Sequence, residues 1–360
     1  MTGADLFVEF GPWVLGWAAG WLLLWRTRPL PTVTPDTVPS DTGRPAVAVV
    51  VPARNEANAL PALLPPLVTG LRPGDELVVV DDHSTDGTGE VAAALGARVV
   101  TPPALPGDWL GKPHACWHGA LATSAPVLVF LDADVRPPAD LLDRLGAAVD
   151  ADPTALVSVQ PWHVMERPSE HLSLLCNVTA LMGVGAFSVL GDRVRPRAAF
   201  GPVMALHRTT YERVGGHADP VIRRMHTEDI GLARAVGRVH LHGGRPDVTF
   251  RMYPGGWPDL WRGWTRSLAT GAGTAPWWAL LGTLAWIWSL AAGWLVWPGL
   301  VALSALQVGV LGRRAGRFSP WLAVLYPIAL AAFVAVIVRS LWRRSWGRPV
   351  SWKDRAVPSR

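Results

Sequence analysis

The sequence predicts an α/β domain, a mostly parallel sheet with helices on both faces, held between N-terminal and C-terminal transmembrane helices. Three observations predict it. Short apolar runs alternate with helix-like runs from about residue 46 onward, the order that builds parallel strands with crossover helices. Of the 20 Trp, all but Trp109, Trp117 and Trp162 lie in residues 1–25 or 257–360, and Trp collects where a ring sits half in lipid and half in water. The charge divides in the same way. Residues 313–360 hold ten basic groups and one acid, whereas residues 1–312 hold 23 basic and 27 acidic groups. A slightly acidic body excludes a nucleic-acid partner, and a basic tail suits a membrane surface. With 50% hydrophobic and 17% charged residues, the chain is neither disordered nor collagen-like. Two distant cysteines, Cys116 and Cys176, provide no disulfide framework and no zinc site.

Phe10–Trp25 carries no charge and as a helix spans about 24 Å. Trp13, Trp17, Trp21 and Trp25 form one stripe along it. Asp5 and Glu9 precede the run and Arg26 and Arg28 follow it. That pattern is an uncleaved anchor (residues 1–27) with its C-terminal end in the cytoplasm, because a signal peptide begins with a basic region. Residues 28–45, with five Pro, read as a linker. The α/β domain is placed at 46–275. Its strands are Val47–Val51, Leu77–Val80, Arg98–Val100, Val127–Leu131 and Leu156–Gln160. Its helices are Ala57–Val68, Thr88–Leu95, His114–Ala122 and Ala139–Val149. Leu172–Leu190 is uncharged, but a span there would separate motifs that must meet, so it reads as a buried or interfacial helix. Residues 276–342 hold three apolar runs, Trp277–Val296, Pro298–Leu311 and Pro320–Val338, with Pro327 a breaking point in the last. A third full span would put Arg339, Arg343, Arg344 and Arg348 on the wrong side, so the number of spans stays open. Residues 343–360 are a basic tail.

In a sheet of this kind the ligand sits at the carboxyl ends of the strands, and the polar clusters lie there. Pro52-Ala53-Arg54-Asn55-Glu56 follows the first strand, and its turn is expected to present backbone N–H groups to a nucleotide. Asp81-Asp82-His83-Ser84-Thr85-Asp86-Gly87-Thr88 follows the second. Its adjacent acids suit a base or ribose, and Ser84–Thr88 a capped helix start. Asp132-Ala133-Asp134 follows the fourth. Carboxylates at i and i+2 of a strand share a side and suit a divalent cation that also holds a diphosphate. Thr227-Glu228-Asp229 opens a helix, as a general base or as a helix cap. Arg262 and Arg266, i and i+4 on a helix around Trp264, suit a leaving diphosphate, while Trp257, Trp261 and Trp264 equally suit a bilayer interface. Lys112, one of two lysines in the chain, reads either as a phosphate or sugar contact or as a solvated surface group. His114, His163, His207 and His226 lack metal-ligand spacing.

The order PARNEA, DDHSTDGT, DADV, TED and an Arg/Trp element before membrane helices resembles the membrane-bound family 2 glycosyltransferases of GT-A (Rossmann-like) fold. Gly107–Cys116, Ser158–Pro161, Phe200–Val203, Phe250–Tyr253 and Gly263–Thr265 are similar to the 4,4'-diaponeurosporenoate glycosyltransferase group of carotenoid biosynthesis. Hopanoid and ceramide-type lipid glycosyltransferases are near relatives. The resemblance implies that Pro52, Ala53, Arg54 and Glu56 line a nucleotide pocket, with Asp82 on the base. Asp132 and Asp134 stand at the ribose and the metal, Asp134 being the better ligand, and Asp229 is the base with Glu228 beside it. Arg262, Trp264 and Arg266 stand in for the family's QxxRW element, without its Gln and with Arg and Trp reordered. His83 replaces the more usual Gly of the second motif.

The expected activity is inverting transfer of a sugar, glucose from UDP-glucose, to a lipid or carotenoid acceptor. It would require a divalent cation (Mg or Mn), on a multi-pass protein of the cell membrane with its catalytic domain in the cytoplasm. A hydroxyl-bearing lipid acceptor, a polysaccharide synthase and a nucleotide-sugar-binding membrane scaffold are the alternatives.

Overall fold

The structure, a computed structural model, describes residues 3–32, 44–243, 245–345, 350–352 and 355–357. Most of the sequence-defined linker and half of the basic tail lie outside them. In chain order the elements are α1 (Gly3–Leu23), β1 (Val47–Ala53), α2 (Leu60–Gly70), β2 (Glu76–Asp81), α3 (Thr88–Ala94), β3 (Arg98–Val100) and α4 (Gly111–Leu121). Then come β4 (Val127–Leu131), β5 (Val135–Arg136), α5 (Leu141–Ala151), β6 (Leu156–Gln160), β7 (Trp162–His163), α6 (Leu174–Gly183), β8 (Val203–His207) and α7 (Arg208–Arg213). The last are α8 (Glu228–Val236), β9 (Val239–Gly243), β10 (Thr249–Phe250), α9 (Trp257–Ala272), α10 (Trp277–Val296), α11 (Pro298–Ala315), α12 (Pro320–Val324), α13 (Tyr326–Ser345) and the short pair β11 (Val350–Trp352) and β12 (Arg355–Val357). These fall into two compact units. One comprises residues 28–162 and 195–250, and the other 1–27, 163–194 and 251–360.

The first unit is built on a seven-stranded sheet of order β3-β2-β1-β4-β8-β6-β9. All pairs are parallel except the two made by β8, which runs antiparallel between β4 and β6. Strands β1 and β4 are Val- and Leu-rich throughout because both faces are covered. On one face Val47, Val49, Val51, Val127 and Val129 meet Leu60, Leu63, Leu64 and Leu67 of α2 and Leu141, Leu142 and Leu145 of α5. α4 packs against β1 and β2. The predicted strands match to within a residue or two, whereas β8 and β9 were not foreseen. The start of the linker is not free chain. The Arg28 carbonyl accepts from Gly243 N–H at 2.7 Å, and the buried Arg144 guanidinium holds the Leu30 and Pro31 carbonyls while pairing with Asp247 at 2.6 Å.

The second unit is helical. α1 begins at Gly3, ahead of the apolar run, so Asp5 and Glu9 belong to the helix. It packs closely on α10, where a Cβ at Gly16 would lie 2.3 Å from the Ala285 carbonyl oxygen and one at Gly20 2.4 Å from the Trp286 ring. Trp286, fully buried, donates to Gln307 at 2.9 Å, and Gln307 donates to the Trp17 carbonyl at 2.7 Å. Arg314 of α11 donates to the Leu24 and Trp25 carbonyls, placing a cation at the negative end of α1. Trp13 and Trp286 are therefore packing residues, not interface markers, while Trp25, Trp277, Trp288, Trp294, Trp297 and Trp321 are exposed. Leu172–Leu190 holds a buried helix of ten residues, α6, shorter than the run suggested. The last apolar run breaks between α12 and α13, just ahead of Pro327, whose ring would clash with the preceding turn. Among the described residues one helix is long and apolar enough to cross a membrane, at Tyr326–Arg343 with a mean hydropathy of 1.4.

Candidate active site

The loops after β1 and β2 are tied together. Asn55 N–H donates to Ser84 Oγ at 2.9 Å, Glu56 N–H to Thr88 Oγ1 at 2.9 Å and Ala57 N–H to Asp86 Oδ2 at 3.1 Å. This corrects the expectation for the first loop. The N–H groups of Asn55, Glu56 and Ala57 are taken up by side chains of the second loop. Arg54 crosses the other way, with Nη1 donating to the Asp82 carbonyl at 2.7 Å and lying 3.8 Å from its carboxylate. Asp82 is buried, and Asp81 accepts from Ser84 N–H at 3.0 Å. The helix start is not capped by a Ser or Thr side chain; Gly87, in the left-handed region, occupies the cap position of α3. His83 has φ of 55°, a backbone region that glycine adopts without strain. This accounts for Gly being usual there.

Asp132-Ala133-Asp134 lies in the turn beyond β4, not in the strand. Asp132 N–H donates to the Pro202 carbonyl at 2.9 Å, so β8, the unforeseen strand, anchors the motif. Burial, then the charges of Asp132 and Glu56, push the Asp134 carboxyl up to about 7.

Lys112, at the first turn of α4, is neither a solvated surface group nor an isolated contact. Its Nζ lies 2.8 Å from Asp132 Oδ1 and 2.7 Å from Glu228 Oε1, so one cation joins the Asp132 turn to the first turn of α8. Although burial opposes it, the Asp132 and Glu228 charges hold the Lys112 pKa well above its ordinary value. Glu228 is buried. Asp229 accepts from Ile230 N–H at 2.9 Å, and Thr227 provides no side-chain cap. Burial, then the Glu228 charge, push the Asp229 carboxyl up to about 7, against the pull of Lys112.

Two positions that residue-by-residue reading passed over complete the arrangement. Ser158 Oγ donates to the Phe200 carbonyl at 3.0 Å and accepts from Phe200 N–H at 2.7 Å, pinning the segment before β8. Next to it Gly201 faces the acids, where a Cβ would lie 3.1 Å from Asp229 Oδ2 and 3.4 Å from Lys112 Nζ. Gly201→Ala is expected to lower kcat about tenfold by displacing Asp229 with little change in melting temperature; a thermal melt beside initial rates checks it. Both residues sit in the SVQP and FGPV segments, which carried a resemblance but no role. Arg223, just before α8, stacks on Trp109 at 5.8 Å and pairs with Asp108. Leu110 N–H donates to the Arg223 carbonyl at 2.8 Å.

The Arg/Trp element lies on α9, in the helical unit. Trp264 is buried with its ring edge-on to Tyr253 at 6.1 Å. Its indole Nε1 is buried and makes no hydrogen bond among the described residues. Arg262 is exposed and paired with Asp259, and Arg266 is half-buried.

The cation-binding expectation meets a suitable donor set. Asp134 contributes hard oxygen beside Asp132 and Glu56, and burial, then the charges of those two acids, raise its pKa in spite of Lys112. Asp132 is engaged by Lys112, which leaves Asp134 as the principal ligand. Among the described residues no group of three or more His, Cys, Asp or Glu converges on a metal position. Mg or Mn at such a site would draw further ligands from phosphate and water.

Residues 48–174 match the family model "Glycosyl transferase family 2". The chain is 32% identical to the 4,4'-diaponeurosporenoate glycosyltransferase of Staphylococcus haemolyticus (strain JCSC1435), over 86% of this chain and 88% of that protein. Identity and coverage are the same for the protein of that name from Staphylococcus aureus (strain USA300). Among solved structures, the mannosyltransferase PcManGT from Pyrobaculum calidifontis, in complex with GDP-Man and Mn2+, superimposes with a TM-score of 0.50 at 22% identity, covering 94% of this chain and 97% of that one. The parallel sheet with an antiparallel β8, ending in paired acids, is thus the GT-A fold. The chain belongs to glycosyl transferase family 2 and is a glycosyltransferase.

Proposed function

We propose that this enzyme transfers glucose from UDP-glucose, with inversion, to a membrane-held lipid acceptor of the diaponeurosporenoate type. The observation that carries this is the Lys112 ammonium between Asp132 and Glu228. It brings the donor-side acids and the acceptor-side acids into one cluster. The acceptor class is supported by relatives 32% identical over 86% of the chain. The acceptor oxygen attacks the anomeric carbon as the bond from that carbon to the diphosphate oxygen breaks. Arg54, Pro52, Ala53, Glu56 and Asp82 would line the nucleotide site, and Lys112 and Asp132 its sugar and phosphate side. A divalent cation bound at Asp134 would neutralise charge developing on the leaving diphosphate. The enzyme would act at the cytoplasmic face of the cell membrane, anchored by its terminal helices. The test is to incubate membranes with UDP-glucose and 4,4'-diaponeurosporenoate and identify the product by mass; no mass increment of one hexose overturns the reading. For the cation, Mn2+ is expected to raise the melting temperature of the purified enzyme, and Asp134→Asn to abolish that rise.

One observation favours a second acceptor class, a hydroxyl-bearing lipid. Asp229 is poised near 7, where a general base works best at neutral pH, whereas a carboxylate acceptor is already ionised. With a hydroxyl acceptor, kcat/KM should rise as pH increases through about 7, because the base acts only when deprotonated. A flat profile between pH 6 and 8 would remove this reading.

A further inference from the structure

His217 is wholly buried in the single turn Gly216–Ala218, which packs on both α4 and α8, the helices that carry Lys112 and the Glu228-Asp229 pair. The Tyr211 hydroxyl lies 2.9 Å from His217 Nδ1 and 3.1 Å from the His217 backbone nitrogen. The backbone N–H can only donate, so the phenol oxygen accepts there. Directing the phenol O–H to Nδ1 satisfies both groups; the opposite tautomer would strand that O–H as well as Nε2. Burial, then the Lys112 charge, hold the imidazole down at about 3. The ring is therefore neutral, with its proton on Nε2.

That Nε2–H finds no acceptor among the described residues. Around the Tyr211–His217 pair lie apolar rings, Phe130 edge-on to His217 at 4.9 Å and Trp117 stacked on Tyr211 at 6.1 Å. A complementary atom lies on α8. Glu228 Oε1 is buried and, beyond the Lys112 ammonium at 2.7 Å, makes no hydrogen bond among the described residues. A buried donor and a buried acceptor on packed elements are the setting in which proteins keep an ordered water.

We propose that the Nε2–H of His217 holds the Glu228 carboxylate through one buried water, fixing it on Lys112 beside Asp229, so that His217 is a positioning residue of the transfer site. The proposal rests on the reading of Glu228 and Asp229 as the base side of the reaction.

Two substitutions separate this role from packing. His217→Gln keeps an amide donor near the place of Nε2 but fits the aromatic wall poorly. His217→Phe fits that wall and has no donor. With UDP-glucose and a hydroxyl-bearing lipid as probes, His217→Phe is expected to lower kcat at least tenfold with KM for UDP-glucose unchanged, and His217→Gln to stay within about threefold of the parent. A purely structural His217 predicts the reverse order, with the Phe variant active and melting no lower than the parent. Phe equal to or better than Gln in kcat overturns the proposal. Tyr211→Phe, which removes the O–H that sets the tautomer, is expected to lower kcat severalfold; an unchanged kcat overturns the tautomer argument. Asp229→Asn measured in parallel on a hydroxyl-bearing lipid judges the base reading separately, since the Phe-against-Gln contrast does not depend on its result.

Discussion

Asp229→Asn is expected to lower kcat for transfer to a hydroxyl-bearing lipid by about 10²–10⁴-fold, and to leave transfer to a carboxylate acceptor within about tenfold. The amide keeps the shape of the side chain and can still accept from Ile230 N–H, as Asp229 does at 2.9 Å, but it cannot take the acceptor's proton. Burial and the Glu228 charge hold the native carboxyl at about 7, so the substitution should also erase any rise of kcat/KM through that pH. A carboxylate acceptor has no proton to lose near neutrality. Initial rates on the two acceptors decide. An equal loss on both would make Asp229 an electrostatic or positioning group, and full activity on both would remove it from the chemistry.

Lys112→Met should combine a loss of stability with a loss of activity. Nζ lies within 2.8 Å of Asp132 and 2.7 Å of Glu228, and Glu228 is buried. Removing the cation leaves the buried Glu228 carboxylate unpaired and facing the half-buried Asp132, at a cost of about 3 kcal/mol, which a thermal melt will register. Lys112 also pulls the Asp229 pKa down. Without it that pKa rises further, so activity toward a hydroxyl acceptor should fall about 100-fold at pH 7 and recover in part at pH 9. Lys112→Arg should rescue poorly, because a planar fork does not occupy the place of a compact ammonium. Adding Glu228→Gln to Lys112→Met should restore much of the stability, since it removes the buried charge left unpaired. A single variant that melts like the parent and keeps its pH profile would reduce Lys112 to a surface contact.

Strands β1 to β4 and β6 were legible because each is a short β-branched run ending in polar turn residues. β9, Val239–Gly243, alternates Val and Leu with half-buried His and gives a weaker apolar signal. β8 was illegible for another reason. Its place between β4 and β6 is a non-local pairing that Val203–His207 does not advertise. Misreading followed from it at the site, since the Asp132 turn hangs on the Pro202 carbonyl. The first-loop N–H groups were misjudged for a similar reason, because their acceptors, Ser84, Thr88 and Asp86, belong to another loop. Trp13 and Trp286 show the limit of composition, as a tryptophan in an apolar helix looks alike whether it faces lipid or a neighbouring helix.

By itself the sequence determined that paired acids stand beyond β4 and at the start of α8, because periodicity and turn chemistry are local. It also determined that apolar helices precede and follow the sheet along the chain. The tertiary structure alone decided which charges meet. Lys112, Asp132 and Glu228 come from three elements, and only the fold brings one ammonium within 2.8 Å of both carboxylates. The fold likewise decided the charge state. A carboxyl near 4 in water becomes Asp229 at about 7 because the folded chain strips water from it and sets Glu228 alongside.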